Sequence, residues 1–186
     1  LPYLNAEQLN NLGLKSIGSN VRISDRAAIY NPEQLEIGDN SRIDDFCVVS
    51  GNVKIGRNIH ITIFCNVAGG SEGIVFQDFS TLAYAAHVFT QSDDYSGVTM
   101  TNSTVPAEYK NETKMAINIG KHSIIGARSV IFPGVTLGEG TSIGAMSLVT
   151  KSTQPWSIYF GVPARRIKDR SRDLLQLEQK YIDKYG

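Results

Sequence analysis

From Ile17 onward an aliphatic residue recurs every six positions, usually followed by glycine or another small or polar residue. Ile37-Gly38, Ile43-Asp44, Val49-Ser50, Ile55-Gly56, Ile61-Thr62 and Val67-Ala68 hold this phase. A second run holds it through Ile119-Gly120, Ile125-Gly126, Ile131-Phe132, Leu137-Gly138, Ile143-Gly144 and Val149-Thr150. Four places after the aliphatic residue the chain often places a small or apolar one, as at Val21, Ser41, Cys47, Cys65, Ser129 and Ser147. A helix repeats about every 3.6 residues and a strand about every 2, so neither produces this pattern. A period of six predicts a short strand and a turn, repeated, with three six-residue sides closing one triangular coil. Each aliphatic side chain then faces inward and stacks on its counterpart eighteen positions on, about 4.8 Å up the axis.

Three interruptions mark what is not scaffold. Asn31-Pro32-Glu33-Gln34 adds a small bulge, and Gly69 to Gly73 adds about three residues. The largest break, from Asp94 to about Ala116, is polar and rich in Asp, Asn, Thr and Tyr. A loop of this length inside a compact domain usually has a function, and a solenoid projects it from a corner. Both ends read as helical. Asn5 can cap a short helix over Ala6 to Leu12, ending at Gly13. From Asp169 to Tyr185 the residues Leu174, Leu177, Tyr181 and Tyr185 share one helical face, expected to pack back along the coils. The fold class expected is therefore an all-β solenoid of parallel triangular coils with a short N-terminal helix, a protruding loop and a C-terminal helix. The chain divides into an N-terminal cap over 1–16, coils over 17–154 with the insertion at about 94–116, and a C-terminal segment and helix over 155–186.

Composition narrows the function only by exclusion. Eighteen Lys and Arg balance eighteen Asp and Glu, which removes a global electrostatic case for nucleic acid. No apolar run approaches the roughly 18–20 residues of a membrane span. The start, Leu1-Pro2-Tyr3, has neither the basic flank nor the apolar core of a secretory signal, so a cytoplasmic protein is expected. Cys47 and Cys65, eighteen apart, are expected as buried packing residues on adjacent coils beneath Phe46 and Phe64.

The repeats from Ile119 to Lys168 carry Ile125-Gly126-Ala127, Pro133-Gly134-Val135, Ile143-Gly144-Ala145, Val149-Thr150-Lys151 and Gly161-Val162-Pro163-Ala164-Arg165. This stretch resembles the acetyl-CoA-binding end of the hexapeptide-repeat acetyltransferases, in their sugar and xenobiotic O-acetyltransferase branch. The resemblance implies a left-handed parallel β-helix, a homotrimer with sites between subunits, and acetyl-CoA as acyl donor. It implies that Ala127 and Ala145 contact the pantetheine arm, that Thr150 and Lys151 lie near the far end of the cofactor, and that Arg165 and Lys168 meet its phosphates. Cations suit that task chemically.

The run Ser92-Asp93-Asp94-Tyr95-Ser96-Gly97, followed by Asn102, Val105, Pro106 and Tyr109-Lys110, is similar to a subset associated with bacterial surface-polysaccharide (lipopolysaccharide) biosynthesis. Where typical members place a catalytic histidine just after the last strand before the long loop, this chain has Asp93. The subset also carries a histidine in the preceding coil, matched here by His60. The expected base is thus His60, supported by Asp93 or Asp94, with the two meeting across an intersubunit cleft. Tyr95, Asn102 and His87 are expected at the acceptor, a saccharide or nucleotide sugar. His60 and His87 both fall five places after an aliphatic residue and point away from the core, whereas His122 falls in a turn and is expected to be exposed and replaceable without effect.

Acyl transfer to a hydroxyl would use a neutral imidazole to take the proton as oxygen attacks the thioester. An amine acceptor would have to arrive deprotonated, and residue types do not choose between the two. No metal is expected: a γ-type carbonic anhydrase on this fold needs two histidines five residues apart plus a third, and His60, His87 and His122 do not have that spacing. A non-catalytic scaffold is the other alternative.

Overall fold

The computed structural model describes residues 2–185. Two- and three-residue strands stack in parallel as three flanks of a left-handed β-helix. The first flank begins with Ser16–Ile17 and Leu35–Ile37, the second with Arg22–Ile23 and Arg42–Ile43, the third with Ala28–Tyr30 and Val48–Ser50. Registers follow the repeat: Ile37 pairs with Ile55, Ile43 with Ile61 and Val49 with Val67. These inward residues are almost fully buried, as are the small corner residues Ser41, Cys47, Cys65 and Ser129. Fully burying such an aliphatic side chain contributes about 1.5–3 kcal/mol.

The corners turn through left-handed backbone. Asn20, Asn40 and Asn58 have φ near +55° in successive coils, and asparagine tolerates that region. At another corner Phe46 and Phe64 take the same conformation and stack 5.1 Å apart above the buried cysteines.

The interruptions are absorbed locally. Pro32–Gln34 forms one turn of 3-10 helix, and Ile55 pairs with Phe76, twenty-one residues on, because the Gly69–Gly73 turn adds three to the eighteen-residue repeat. The large insertion is not structureless. Its stems, Gln91–Ser92 and Thr113–Lys114, pair antiparallel, and Ala107–Tyr109 forms a 3-10 turn within it. Glu112 braces the base between Lys110 and Lys114, which hold its carboxyl down at about 2.

Helix α1 (Ala6–Asn11) is capped by Asn5, which exchanges hydrogen bonds with Gln8. At the other end Ser157–Gly161 and Ala164–Asp169 form an antiparallel hairpin on the second flank. The C-terminal helix α2 therefore runs from Leu174 to Tyr185, later than the sequence pattern suggests, because residues 164–169 are committed to that hairpin. Helix α2 lies back across the second flank. Tyr181 accepts a hydrogen bond from Asn58 at 2.9 Å, and Glu178 meets Lys121 at 2.6 Å and His122 at 2.8 Å.

This packing overturns the expectation for His122. Its turn position is as read, with φ of 59°, but only 8% of its surface is accessible. The ring stacks on Phe79 beneath α2 and is held by Glu178.

Candidate active site

Asp93, Asp94 and Tyr95, at the start of the insertion, line a cavity of about 290 Å³ against Phe132, Pro133 and Thr150. The insertion and the third flank's final coils thus bring together Asp93 and Asp94, expected beside the base, Tyr95, expected at the acceptor, and Thr150, expected near the cofactor. Within it the two carboxylates differ. Asp94 accepts hydrogen bonds from the Ser96 amide (2.8 Å), the Ser96 hydroxyl (2.9 Å) and the Thr99 hydroxyl (2.9 Å). These bonds hold its carboxyl below the usual range and make it a brace of the loop. Asp93 accepts one long bond, from the Asn102 amide at 3.3 Å, and is the freer of the two among the described residues. The Asn102 side chain caps Thr104, so its amide serves the loop's own turn. Tyr95 is 88% exposed.

His60 stands on the second flank, paired with Arg42 below and Thr81 above. Its side chain is 39% accessible. The carboxylate that holds it within the chain is neither Asp93 nor Asp94 but Asp44, whose Oδ2 lies 2.8 Å from Nε2. The reason is geometric: Asp44 immediately follows the strand Arg42–Ile43, two positions past the Arg42 that pairs with His60, and in extended backbone residues two apart point to the same side. Arg42 grips the same carboxylate through Nε (2.5 Å) and Nη2 (3.0 Å), and the Tyr3 hydroxyl donates to Oδ1 at 3.3 Å. Burial opposes ionisation of Asp44, but the bonds from Arg42 and His60 outweigh it and keep the carboxyl below its ordinary value. Asp44, Arg42 and Tyr3 were not anticipated from sequence. His87 is exposed on the third flank, between Asn66 and Val130, away from His60.

Ala127 and Ala145 sit one above the other at the corner between second and third flanks, and an added Cβ at Gly126 would meet the Ala145 amide at 2.5 Å. That stretch of backbone is close-packed, with the Phe160 ring lying against Gly144. Lys151 follows Thr150 at the end of the third flank and is exposed. In the C-terminal hairpin Arg166 is tied to Asp169 and Ser157, whereas Lys151, Arg165 and Lys168 have no ion pair among the described residues. Those three cations are open to an anionic ligand. Among the described residues no group of three or more His, Cys, Asp or Glu side chains is placed to hold a metal, and no helix is long and apolar enough to cross a membrane.

A parallel β-helix with a corner insertion and a half-buried, carboxylate-held histidine defines a hexapeptide-repeat solenoid with an equipped surface. No protein-family model matches the chain. A dTDP-4-amino-4,6-dideoxy-D-glucose acyltransferase from Escherichia coli is 39% identical over 184 residues, covering 97% of this chain and 95% of the relative. Crystal structures of AntD, an N-acyltransferase from Bacillus cereus, align over nearly the whole chain. In complex with dTDP and 3-hydroxybutyryl-CoA, AntD matches with a TM-score of 0.96 and 44% identity, over 97% of this chain and 96% of the other. An aspartate-to-asparagine variant of AntD, bound to dTDP and coenzyme A, gives a TM-score of 0.97 at 43% identity, over 98% and 99% of the two chains. The chain belongs to the hexapeptide-repeat, left-handed β-helix acyltransferases and is an acyl-CoA-dependent acyltransferase. The similarity carries this broader family and not specifically its O-acetyltransferase branch.

Proposed function

We propose that this enzyme transfers a short acyl group from coenzyme A to the amino group of a dTDP-linked 4-amino-4,6-dideoxyhexose. The observation that carries this reading is the extent of the similarity. Enzymes described as acting on, or bound to, such ligands match at 39–44% identity over the insertion and the coils alike, not over the cofactor end alone. One of them was crystallised with dTDP-4-amino-4,6-dideoxyglucose and coenzyme A together.

In this reading the acceptor nitrogen attacks the thioester carbon, the C–N bond forms and the C–S bond breaks. The proton shed by nitrogen passes to His60, which returns it to the departing coenzyme A sulfur. A positioned base of this kind contributes about 10²–10⁴ in rate. Asp93 orients the acceptor amine, and Asp94 keeps the loop in shape around it. His87, Tyr95 and Asn102 contact the nucleotide sugar. Ala127, Ala145 and Thr150 line the cofactor groove, and Lys151, Arg165 and Lys168 meet its phosphates. His60 and Asp93 lie on different flanks, so we assign the complete site to a homotrimer in which each cleft takes one from each of two subunits. Acetyl-CoA and 3-hydroxybutyryl-CoA are the two donors to compare. Acyl-CoA and nucleotide sugars meet in the cytoplasm, and the acylated sugar would feed a surface polysaccharide such as lipopolysaccharide.

The test is to incubate the purified chain with dTDP-4-amino-4,6-dideoxyglucose and each acyl-CoA, following thiol release and product mass. An amide product with at least one donor is expected. Acylation of a 4-hydroxy analogue in preference to the amine, or no thiol release with any dTDP-sugar, would reject the acceptor assignment.

A further inference from the structure

We infer that Asp44 is a positioning residue for the acyl transfer: it fixes His60 with the proton on Nε2 and the bare Nδ1 edge turned to the acceptor. This rests on the proposed role of His60 as the proton-accepting group.

The argument starts from the accounting of hydrogen bonds. A carboxylate only accepts, so an ionised Asp44 at 2.8 Å from Nε2 requires that nitrogen to carry the proton. The neutral ring then has its lone pair on Nδ1, the only nitrogen left to act as a base. The Asp44 side chain is 4% accessible and that of His60 is 39% accessible, so the carboxylate anchors the ring from the buried side and the other ring edge remains open.

The second part concerns charge. A buried carboxylate without partners would be costly, but Arg42 alone supplies two hydrogen bonds and the compensating charge. Asp44 therefore does not need His60 for its own stability. The dependence runs the other way, because His60 has no other side-chain partner among the described residues. Arg42 is in turn steadied by the Tyr3 ring, whose centroid lies 5.6 Å from the guanidinium carbon, and Tyr3 itself is tied down by its bridge to Ser24. The N-terminal segment thus fixes Arg42, Arg42 fixes Asp44, and Asp44 fixes His60. The backbone side of His60 is held as well, since the Thr81 hydroxyl donates to its carbonyl at 2.9 Å.

The chemistry balances without a further reagent. The imidazole gains the amine's proton on Nδ1 as the C–N bond forms, while Asp44 holds Nε2–H and faces the resulting imidazolium. When the C–S bond breaks, Nδ1 gives its proton to sulfur and the ring returns to its starting tautomer.

The experiment uses the full chain labelled with ¹⁵N-histidine, at a pH where the imidazole is neutral, with the His60 resonances assigned from their loss in His60→Ala. The expected result is an Nε2–H tautomer in the wild-type protein. Asp44→Asn should shift it toward Nδ1–H or a mixture, because an amide can donate to Nε2. The same variant should lower kcat on the order of 10²-fold, short of the ~10⁴ lost when the aspartate of a hydrolytic triad is amidated, with KM for either substrate changed little. An Nδ1–H tautomer in the wild type would overturn the inference without any variant, and so would an Asp44→Asn enzyme with unaltered kcat. If His60→Ala itself retains full activity, the proposed role of His60 fails and the positioning role falls with it. The tautomer measurement tells that outcome from a misplaced proton.

Discussion

Among the described residues, two histidine–carboxylate pairs have the same length. His60 meets Asp44 and His122 meets Glu178, each at 2.8 Å through Nε2. Their surroundings are opposite. The His122 side chain is 8% accessible, stacked on Phe79 and roofed by α2, and its partner comes from that helix fifty-six residues on. The His60 side chain is 39% accessible and its partner comes from the coil directly below. A histidine with a carboxylate on one nitrogen can serve chemistry only if substrate reaches the other nitrogen. Otherwise the same pair is a clasp, here joining a terminal helix to the solenoid. The distance between the atoms is identical, so access to the ring is what separates the base we propose from the clasp.

The largest expected effect that would break this contrast concerns turnover. His60→Ala should lower kcat about 10²–10⁴-fold, with melting almost unmoved, because the ring packs against no core. Unaltered kcat in a steady-state assay would remove His60 from the chemistry. The next effect is on stability. His122→Ala opens space beneath α2 and leaves Glu178 with Lys121 as its one remaining partner among the described residues, which should cost about 2 kcal/mol, or roughly 4–8 °C in Tm for a chain of this size. Calorimetry should show that loss, with kcat retained at temperatures where the variant is folded.

A smaller effect tests the cofactor side of the same surface. Replacing Lys151 and Arg165 together should raise KM for acyl-CoA about tenfold, equivalent to ~1.4 kcal/mol, and leave kcat at saturation unchanged. An unmoved KM would return these cations to solvent. The smallest effect is a pH response of the clasp. Burial resists ionisation of Glu178, yet Lys121 and His122 hold its carboxyl below the ordinary value. A depressed folded value means the stabilisation is complete above the ordinary carboxylate range and is lost as pH falls through the lowered one. Limited proteolysis should therefore begin to cut at α2 in acid, and Glu178→Gln should flatten that pH dependence.

The coils were legible because a solenoid repeats one local decision: an aliphatic residue every six positions has a single inward place to go. The phase shift of three residues at Gly69–Gly73 was readable for the same reason, and it reappears as the Ile55–Phe76 register. The insertion's polarity announced a projection, but the antiparallel pairing of Gln91–Ser92 with Thr113–Lys114 depends on contacts that no repeat encodes. At the candidate site, the outward direction of His60 followed from its place in the repeat. Its partner did not, although the signal was present. His60 pairs with Arg42, eighteen residues back, and Asp44 is two residues further along the same outward face. A search for carboxylates sixteen residues before an outward histidine would have found it. His122 was misread because a turn position says nothing about what a distant helix will cover.

The claim that the two pairs divide their labour is tested most directly by a double-mutant cycle with kcat and Tm measured on each member. Sites that share no partner should be additive. The account predicts that His60→Ala/His122→Ala has the kcat of His60→Ala and the Tm of His122→Ala. A double variant in which either quantity departs from its governing single variant, or a His122→Ala enzyme that loses turnover as severely as His60→Ala while still folded, would contradict it.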